Sequence, residues 1–192
     1  MSQSITNILL VGVGGQGILL ASEILSETFM LAGFDVKKSE IHGMSQRGGS
    51  VVSHVRYGQE IFSPIIPEGE GDILFGFEIL ETYRSLPLLR KGARVIANNL
   101  CIPPPSVLSG LEQYPEDVEA KVRSLFPDFL LVDGLRLATE SGNPRSANTV
   151  LLGAVSKQLE IPEKFWLEAI KEMVPAKAYE ENRKAFKAGR SL

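Results

Sequence analysis

The chain has 192 residues, 44% of them hydrophobic, and a formal net charge of -3. That length suits one domain with a full core, and the slight acidic excess argues against a nucleic-acid binder, which carries a basic patch. The single cysteine, Cys101, excludes an internal disulfide and any iron–sulfur cluster held by this chain alone, because a cluster takes about four thiolates.

A lone thiol fits a reducing compartment. No apolar run approaches the roughly 20 residues of a spanning helix, and the polar start MSQSITN lacks a signal-peptide pattern. A soluble, cytoplasmic protein is expected, with neither a membrane nor nucleic acid among its partners.

In chain order, Asn7 to Val13 is a short apolar run ending in glycine, as a buried parallel strand would. A glycine turn follows, and Ile18 to Leu31 has near-helical apolar spacing stopped by Gly33. Phe34 to Ser39 reads as a second strand, completing a βαβ unit. Glu40 to Gly49 is a polar loop, and Ser50 to Tyr57 a third strand with Val51, Ser53, Val55 and Tyr57 on one face.

Prolines 64 and 67 mark a turn before a fourth strand, Asp72 to Phe77. Glu78 to Leu89 is predicted helical with a break at Pro87, and Ala93 to Asn98 is a fifth strand. Ile102 to Pro105 should be extended and rigid. Pro115 to Phe126 is predicted helical, with acids early and Lys121 and Arg123 late.

Asp128 to Asp133 is a sixth strand, and Asn143 to Leu159 a loop and helix. Pro162 opens another helix that Pro175 ends, and a last polar helix runs to about Gly189. Alternating strands and helices predict an α/β fold: an open, mostly parallel Rossmann-like sheet flanked by helices, in one domain, 1–192, with a helical extension from about residue 160.

Two stretches carry chemistry. Gly12-Val13-Gly14-Gly15-Gln16-Gly17 satisfies G-x-G-x-x-G between a predicted strand and helix. Such glycines permit a tight turn and close backbone approach, and the helix start offers N–H groups to a phosphate. Glu40, 23 residues beyond Gly17, stands near the spacing of a ribose-binding acid. The same glycines could instead only pack the first helix on the sheet.

The second stretch is EIHGMSQRGGSVVSHVR, Glu40 to Arg56. Its polar loop holds His42, Ser45, Gln46 and Arg47, costly to bury without partners, and Gly48 and Gly49 allow close approach. His42 could act in acid–base chemistry or bond backbone. His54 reads as structural, Cys101 as a small packed side chain, and Asn148 either as a helix cap or as a group reaching a partner. Two histidines and one cysteine lack zinc-like spacing, so no metal site is expected.

GVGGQG followed by SEIHGMSQRGGSVVSHVR, then Asn148-Thr149-Val150-Leu151-Leu152-Gly153-Ala154 and Asn182 with Ala185, Phe186 and Gly189, resembles the gamma-type domain of the 2-oxoacid:ferredoxin oxidoreductases. Within that family it is most similar to the beta-subunit branch of the indolepyruvate enzymes. The resemblance covers essentially the whole chain, and the His-Gly-Met-Ser-Gln-Arg-Gly-Gly run is its most specific part.

The resemblance implies a small subunit that acts with a large partner. The partner would hold thiamine diphosphate and the iron–sulfur clusters; the assembly would decarboxylate an arylpyruvate to an acyl coenzyme A and reduce ferredoxin. This chain would hold no cofactor firmly and would be inactive alone. It would close one wall of the site and help hold coenzyme A, with the glycine loop taking a phosphate and Lys37, Lys38 or Arg47 adding charge.

His42 and Arg47 are the catalytic candidates. Gly12, Gly14, Gly15, Gln16, Gly17, Glu40, Ser45, Gln46, Arg47, Gly48, Gly49 and Asn148 are the binding candidates. The alternatives are the gamma subunit of a pyruvate or branched-chain enzyme and a free-standing nucleotide-binding oxidoreductase. An isolated copy would be prone to self-association through its partner-facing surface.

Overall fold

A computed structural model describes residues 5–43 and 48–192, and the backbone alone of His42. One six-stranded sheet in the order β2-β3-β1-β4-β5-β6 organises it. Strand β1 (Thr6–Val13) is central and buried on both faces, which is why its sequence is a continuous apolar run rather than an alternating one. It pairs in parallel with β4 (Gly71–Gly76), which pairs in parallel with β5 (Leu89–Asn98), and β5 with β6 (Leu130–Val132).

On the other side β3 (Ser50–Gly58) lies antiparallel to β1, and β2 (Asp35–His42) antiparallel to β3. Five strands therefore point one way and β3 alone points back. The expected βαβ unit is split: the strand after the first helix skips a lane, and β3 fills it. Strand β2 also runs to His42, through the first residues of what reads as a loop in sequence. Edge pairing with β3 holds this polar segment extended despite Lys37, Lys38 and Glu40.

Two helical layers cover the sheet. Ile8 and Leu10 face one, with α1 (Ile18–Leu31), α6 (Ala147–Ser156), α7 (Glu163–Met173) and α8 (Tyr179–Arg190). Leu9 and Val11 face the other, with α2 (Ile79–Arg84) and α4 (Val118–Leu125). In α1 the buried hydroxyls of Ser22, Ser26 and Thr28 donate to carbonyls three or four residues back, so a mixed helix face can be buried without orphan donors.

An aromatic line ties the first layer together. Phe29 of α1 stacks on Tyr57 of β3 at 3.9 Å between centroids, Trp166 of α7 meets Phe29 edge-on at 6.1 Å, and Phe186 of α8 stacks on Trp166 at 5.8 Å. Such pairs add to simple area burial. The last helices are thus part of the core, not an appendage: Trp166 and Phe186 are fully buried. Where α8 crosses α6, Gly153 and Gly189 bring backbone against backbone, and a Cβ at either would collide with a carbonyl of the facing helix.

Other boundaries moved for local reasons. The predicted helix after β4 stops at Arg84, passes through a 3₁₀ turn at Leu86–Leu88, and β5 begins at Leu89 with an irregular register against β4. Pro105 opens a short helix, α3 (Pro105–Leu108), because a proline at the first helical position forfeits no hydrogen bond. After β6, Asp133 caps α5 (Gly134–Glu140) by accepting from the Arg136 N–H at 3.0 Å.

Candidate functional site

Strands β1, β4, β5 and β6 all deliver their carboxyl ends to one edge of the sheet. The connections after β1 and β4 leave in opposite directions, α1 toward β2 and α2 toward β5. Ligands of open α/β sheets gather at such a switch point.

The glycine loop Gly12–Gly17 sits there. Gly15 and Gly17 have φ of 105° and 79°, the left-handed region that favours glycine. At Gly12 a side chain is excluded by contact: a Cβ would stand 2.6 Å from Gln16 Oε1 and 2.8 Å from the Phe77 Cβ. Gln16 spends both ends of its amide inside the protein. Its Oε1 accepts the Val13 N–H at 2.6 Å and its Nε2 donates to the Phe77 carbonyl at 2.9 Å. The Gly14 N–H donates to the Gly49 carbonyl at 2.9 Å, tying the loop to the glycine pair that precedes β3.

The loop opens α1, and the start of α6 comes to the same point. Asn148, the second residue of α6, turns its Oδ1 back onto the Thr149 N–H at 2.9 Å. Its Nδ2 faces Gly17, where a Cβ would lie only 2.9 Å away. The cap position itself is Ser146, and Asn148 forms a wall of the glycine loop.

Helix charge supports an anion at this junction. Of the described helices of eight residues or more, α4, α7 and α8 carry an acid in the first turn. The first turns of α1 and α6 carry none; no side chain caps the start of α1, and at the start of α6 only the Thr149 N–H is met, by Asn148 Oδ1. Neither positive helix end is offset by an acid where they meet.

The remaining binding candidates fall in three groups. Ser45, Gln46 and Arg47 lie outside the described residues, as does the His42 side chain. Gly48 and Gly49 lead into β3, Gly48 with φ of 78°. Glu40 is displaced from the place a dinucleotide pattern gives its acid, because β3 stands between β2 and β1; its carboxylate instead accepts from the Ser22 hydroxyl of α1 at 3.1 Å.

Lys37 and Lys38 are further off. Through β3 they stand level with Asn7 and Ile8, at the far end of β1 from the loop. They pair with Asp35 at 2.7 Å and Glu23 at 3.5 Å, and the Lys37 hydrogen bond holds the Asp35 carboxyl below its usual range. His54 is structural: its Nδ1 accepts the Ile66 N–H at 3.0 Å, and burial lowers its pKa.

Several residues of this edge were not singled out in sequence. Glu78 is 1% exposed and accepts the N–H groups of Glu81 at 2.8 Å and Ile102 at 3.1 Å and the Tyr114 hydroxyl at 3.1 Å. Glu81 accepts the Ser50 hydroxyl at 2.5 Å and Arg84 at 2.8 Å. Asn98 accepts the Gly134 N–H at 3.1 Å, joining β5 to α5. Glu78 caps α2 although glutamate lies outside the usual Ser, Thr, Asp or Asn set, so the spacing carried no ordinary capping signal. Cys101, expected to be packed, is exposed; beside Tyr114 it helps burial push that phenol upward.

Among the described residues no group of three or more His, Cys, Asp or Glu could hold a metal, and no helix is long and apolar enough to cross a membrane. A groove of about 650 Å³ lined by Lys91, Arg94, Phe126 and Leu130 opens at the opposite, amino end of the strands, away from the loop.

This architecture defines an open α/β domain with a glycine loop at its switch point. The chain belongs to the pyruvate ferredoxin/flavodoxin oxidoreductase family, whose model matches residues 7–192. It is 41% identical over 188 residues to indolepyruvate oxidoreductase subunit IorB of Pyrococcus horikoshii, covering 95% of this chain and 93% of that one. It is 28% identical over 177 residues to the pyruvate/ketoisovalerate oxidoreductases common subunit gamma of Thermococcus litoralis, covering 91% and 89%.

Among solved structures, the keto/oxoacid ferredoxin oxidoreductase gamma subunit of Geobacter sulfurreducens matches with a TM-score of 0.69 and 24% identity over 97% of this chain and 96% of that one. The 2-oxoglutarate:ferredoxin oxidoreductase of Magnetococcus marinus, with 2-oxoglutarate, coenzyme A and succinyl-CoA bound, matches with a TM-score of 0.73 and 19% identity. There the match covers 97% of this chain but 30% of that one.

Proposed function

We propose that this chain is the small, gamma-type subunit of a cytoplasmic 2-oxoacid:ferredoxin oxidoreductase acting on indolepyruvate or a related arylpyruvate, inactive without its large partner. We propose further that the meeting point of α1 and α6 seats a phosphate of coenzyme A. The observation that carries the seat is the convergence of two acid-free helix starts on Gly17 at the carboxyl edge of the sheet.

The relatives bear on how labour is divided. A relative named as the common subunit of pyruvate and ketoisovalerate enzymes serves two different oxoacids. A domain shared in that way reads what both reactions have in common, and coenzyme A is common where the oxoacid is not. By that logic the choice of oxoacid rests mainly with the partner, and the indolepyruvate assignment rests on the 41% identity to a subunit of that name. A pyruvate or branched-chain oxoacid is the second reading, favoured by the same common subunit.

Thiamine diphosphate and iron–sulfur clusters, on the partner, would supply the carbon chemistry and the electron path. This chain's one cysteine does not suit it to hold a cluster. Its own work is placement. The N–H groups opening α1 and the Asn148 amide would hold an anionic group, the Gly12–Gly17 backbone would let it approach, and Arg47 would add positive charge.

The test is anaerobic viologen reduction with coenzyme A and a panel of oxoacids, using the chain alone, the partner alone and the mixture. Activity only in the mixture, highest with indolepyruvate, is expected. Activity of the chain alone with a nicotinamide would refute the reading. Arg47→Ala in the mixture should raise the KM for coenzyme A or the oxoacid; unchanged kinetics with normal assembly would remove Arg47 from the site.

A further inference from the structure

Asn182 lies on the last helix, 34 residues from Asn148, and is buried at 7% exposure. Its Nδ2 donates to the Ala178 carbonyl one turn back at 2.8 Å, which fixes the amide and turns Oδ1 toward α6. There Oδ1 accepts the Thr149 hydroxyl at 2.6 Å. A hydroxyl has one proton, and the short bond commits it to Asn182.

That commitment governs Asn148. The Thr149 oxygen also lies 3.4 Å from Asn148 Oδ1. Were its proton free, it could donate there and draw the Asn148 amide round. With the proton spent on Asn182, Asn148 Oδ1 keeps only the Thr149 N–H at 2.9 Å, and its Nδ2 is held toward Gly17. Among the described residues no acceptor meets that Nδ2, so its protons remain available at the edge of the loop. The backbone contact of Gly153 and Gly189 sets α8 against α6 closely enough for the relay to form.

We infer that Asn182 is a positioning residue: by taking up the Thr149 hydroxyl proton it leaves the Asn148 amide held by the Thr149 N–H alone, as a side-chain donor beside the helix start proposed to receive coenzyme A. The inference rests on the seat proposed above and adds the residues that orient it. It also gives the C-terminal helix a role at the site, although none of its residues reaches the loop.

Two readouts separate the relay from the seat. The first uses the full chain alone. The side-chain amide resonances of Asn148 should shift in Asn182→Leu, which frees the Thr149 proton, and return toward wild type when Thr149→Val is added, which removes it. The second uses the assembled enzyme. Asn148→Ala and Asn182→Leu should each raise the KM for coenzyme A by about fivefold to tenfold, the equilibrium weight of one hydrogen bond, with a smaller change in kcat.

Adding Thr149→Val to Asn182→Leu should bring the KM back toward wild type, and Asn148→Ala with Asn182→Leu should be no worse than Asn148→Ala alone. Unmoved Asn148 resonances would overturn the relay whatever the kinetics. Shifted resonances with an unchanged KM for coenzyme A in Asn148→Ala would keep the relay and overturn its service to the seat.

Discussion

The tightest joint in the protein is the crossing of α6 and α8, and Gly189→Ala tests it. A Cβ there would stand 2.7 Å from the Val150 carbonyl carbon and nearer still to its oxygen, with the Ala154 nitrogen at 3.1 Å. Carbon atoms pack at about 3.5–4.0 Å, so the helices must part by roughly 1 Å. Neither side can yield by a rotamer change, because the opposing atoms are backbone.

Overpacking of this kind costs about 1–3 kcal/mol and sometimes more, and separation also threatens the Thr149–Asn182 hydrogen bond, worth about 1 kcal/mol. Alanine recovers about 1 kcal/mol of helix propensity over glycine. The net loss is about 1–3 kcal/mol, which for a chain of this size lowers Tm by roughly 2–12 °C. Thermal unfolding followed by far-UV circular dichroism measures it, with the exposed Lys184→Ala on the same helix as control. A Tm within about 2 °C of wild type for Gly189→Ala would show that the helices are not held in backbone contact.

Three further outcomes follow from single interactions. Burial lowers the His54 pKa, so below its ordinary value the unfolded chain takes up the proton first; stability should be complete above about pH 6.5 and fall as the pH drops below it. His54→Gln should flatten that slope in Tm scans from pH 7.5 to 5.5, with His42→Gln as background. Trp166 is fully buried, and among the described residues its Nε1 has no hydrogen-bond partner. Trp166→Phe trades lost volume against an orphan donor that costs about 1–3 kcal/mol, so urea unfolding should place it within about 1 kcal/mol of wild type, milder than a usual loss of core volume. Glu78→Ala would strand three donors at once, and a loss of about 3 kcal/mol or more is expected in the same assay.

What was legible in sequence was what depends on local pattern. The apolar run of β1, the glycine turn and the spacing of α1 sit close together in the chain and read as one unit. The insertion of β3 between β1 and β2 did not, because lane order is set by long-range pairing, and a two-sided polar strand such as β2 gives little register signal of its own. For that reason Glu40 stands a lane away from the ribose position of a dinucleotide pattern. The C-terminal helix looked polar because half of its residues are charged, yet the four that matter, Asn182, Ala185, Phe186 and Gly189, share one buried face. Asn182 could be named in sequence but not placed, since its partner Thr149 is 33 residues away.

Gln16 shows how a fingerprint can be satisfied by residues that do a different job. In a dinucleotide site the crevice between the first strand and its neighbour across the switch point is left open for the ligand. Here the Gln16 amide spans from Val13 on β1 to the Phe77 carbonyl just past β4 and closes it. The donors left available lie on the α1–α6 side, so a ligand must approach from that side of the loop. Gln16→Ala should therefore act first on stability, by about 2 kcal/mol for two part-buried hydrogen bonds, and on coenzyme A only through the loop it staples. Gln16→Glu keeps an acceptor for Val13 but faces the Phe77 carbonyl with a carboxylate, and should cost at least as much in urea unfolding. If Gln16→Ala instead left stability unchanged and abolished coenzyme A binding, the side chain would be a ligand and the crevice, not the α6 side, would be the seat.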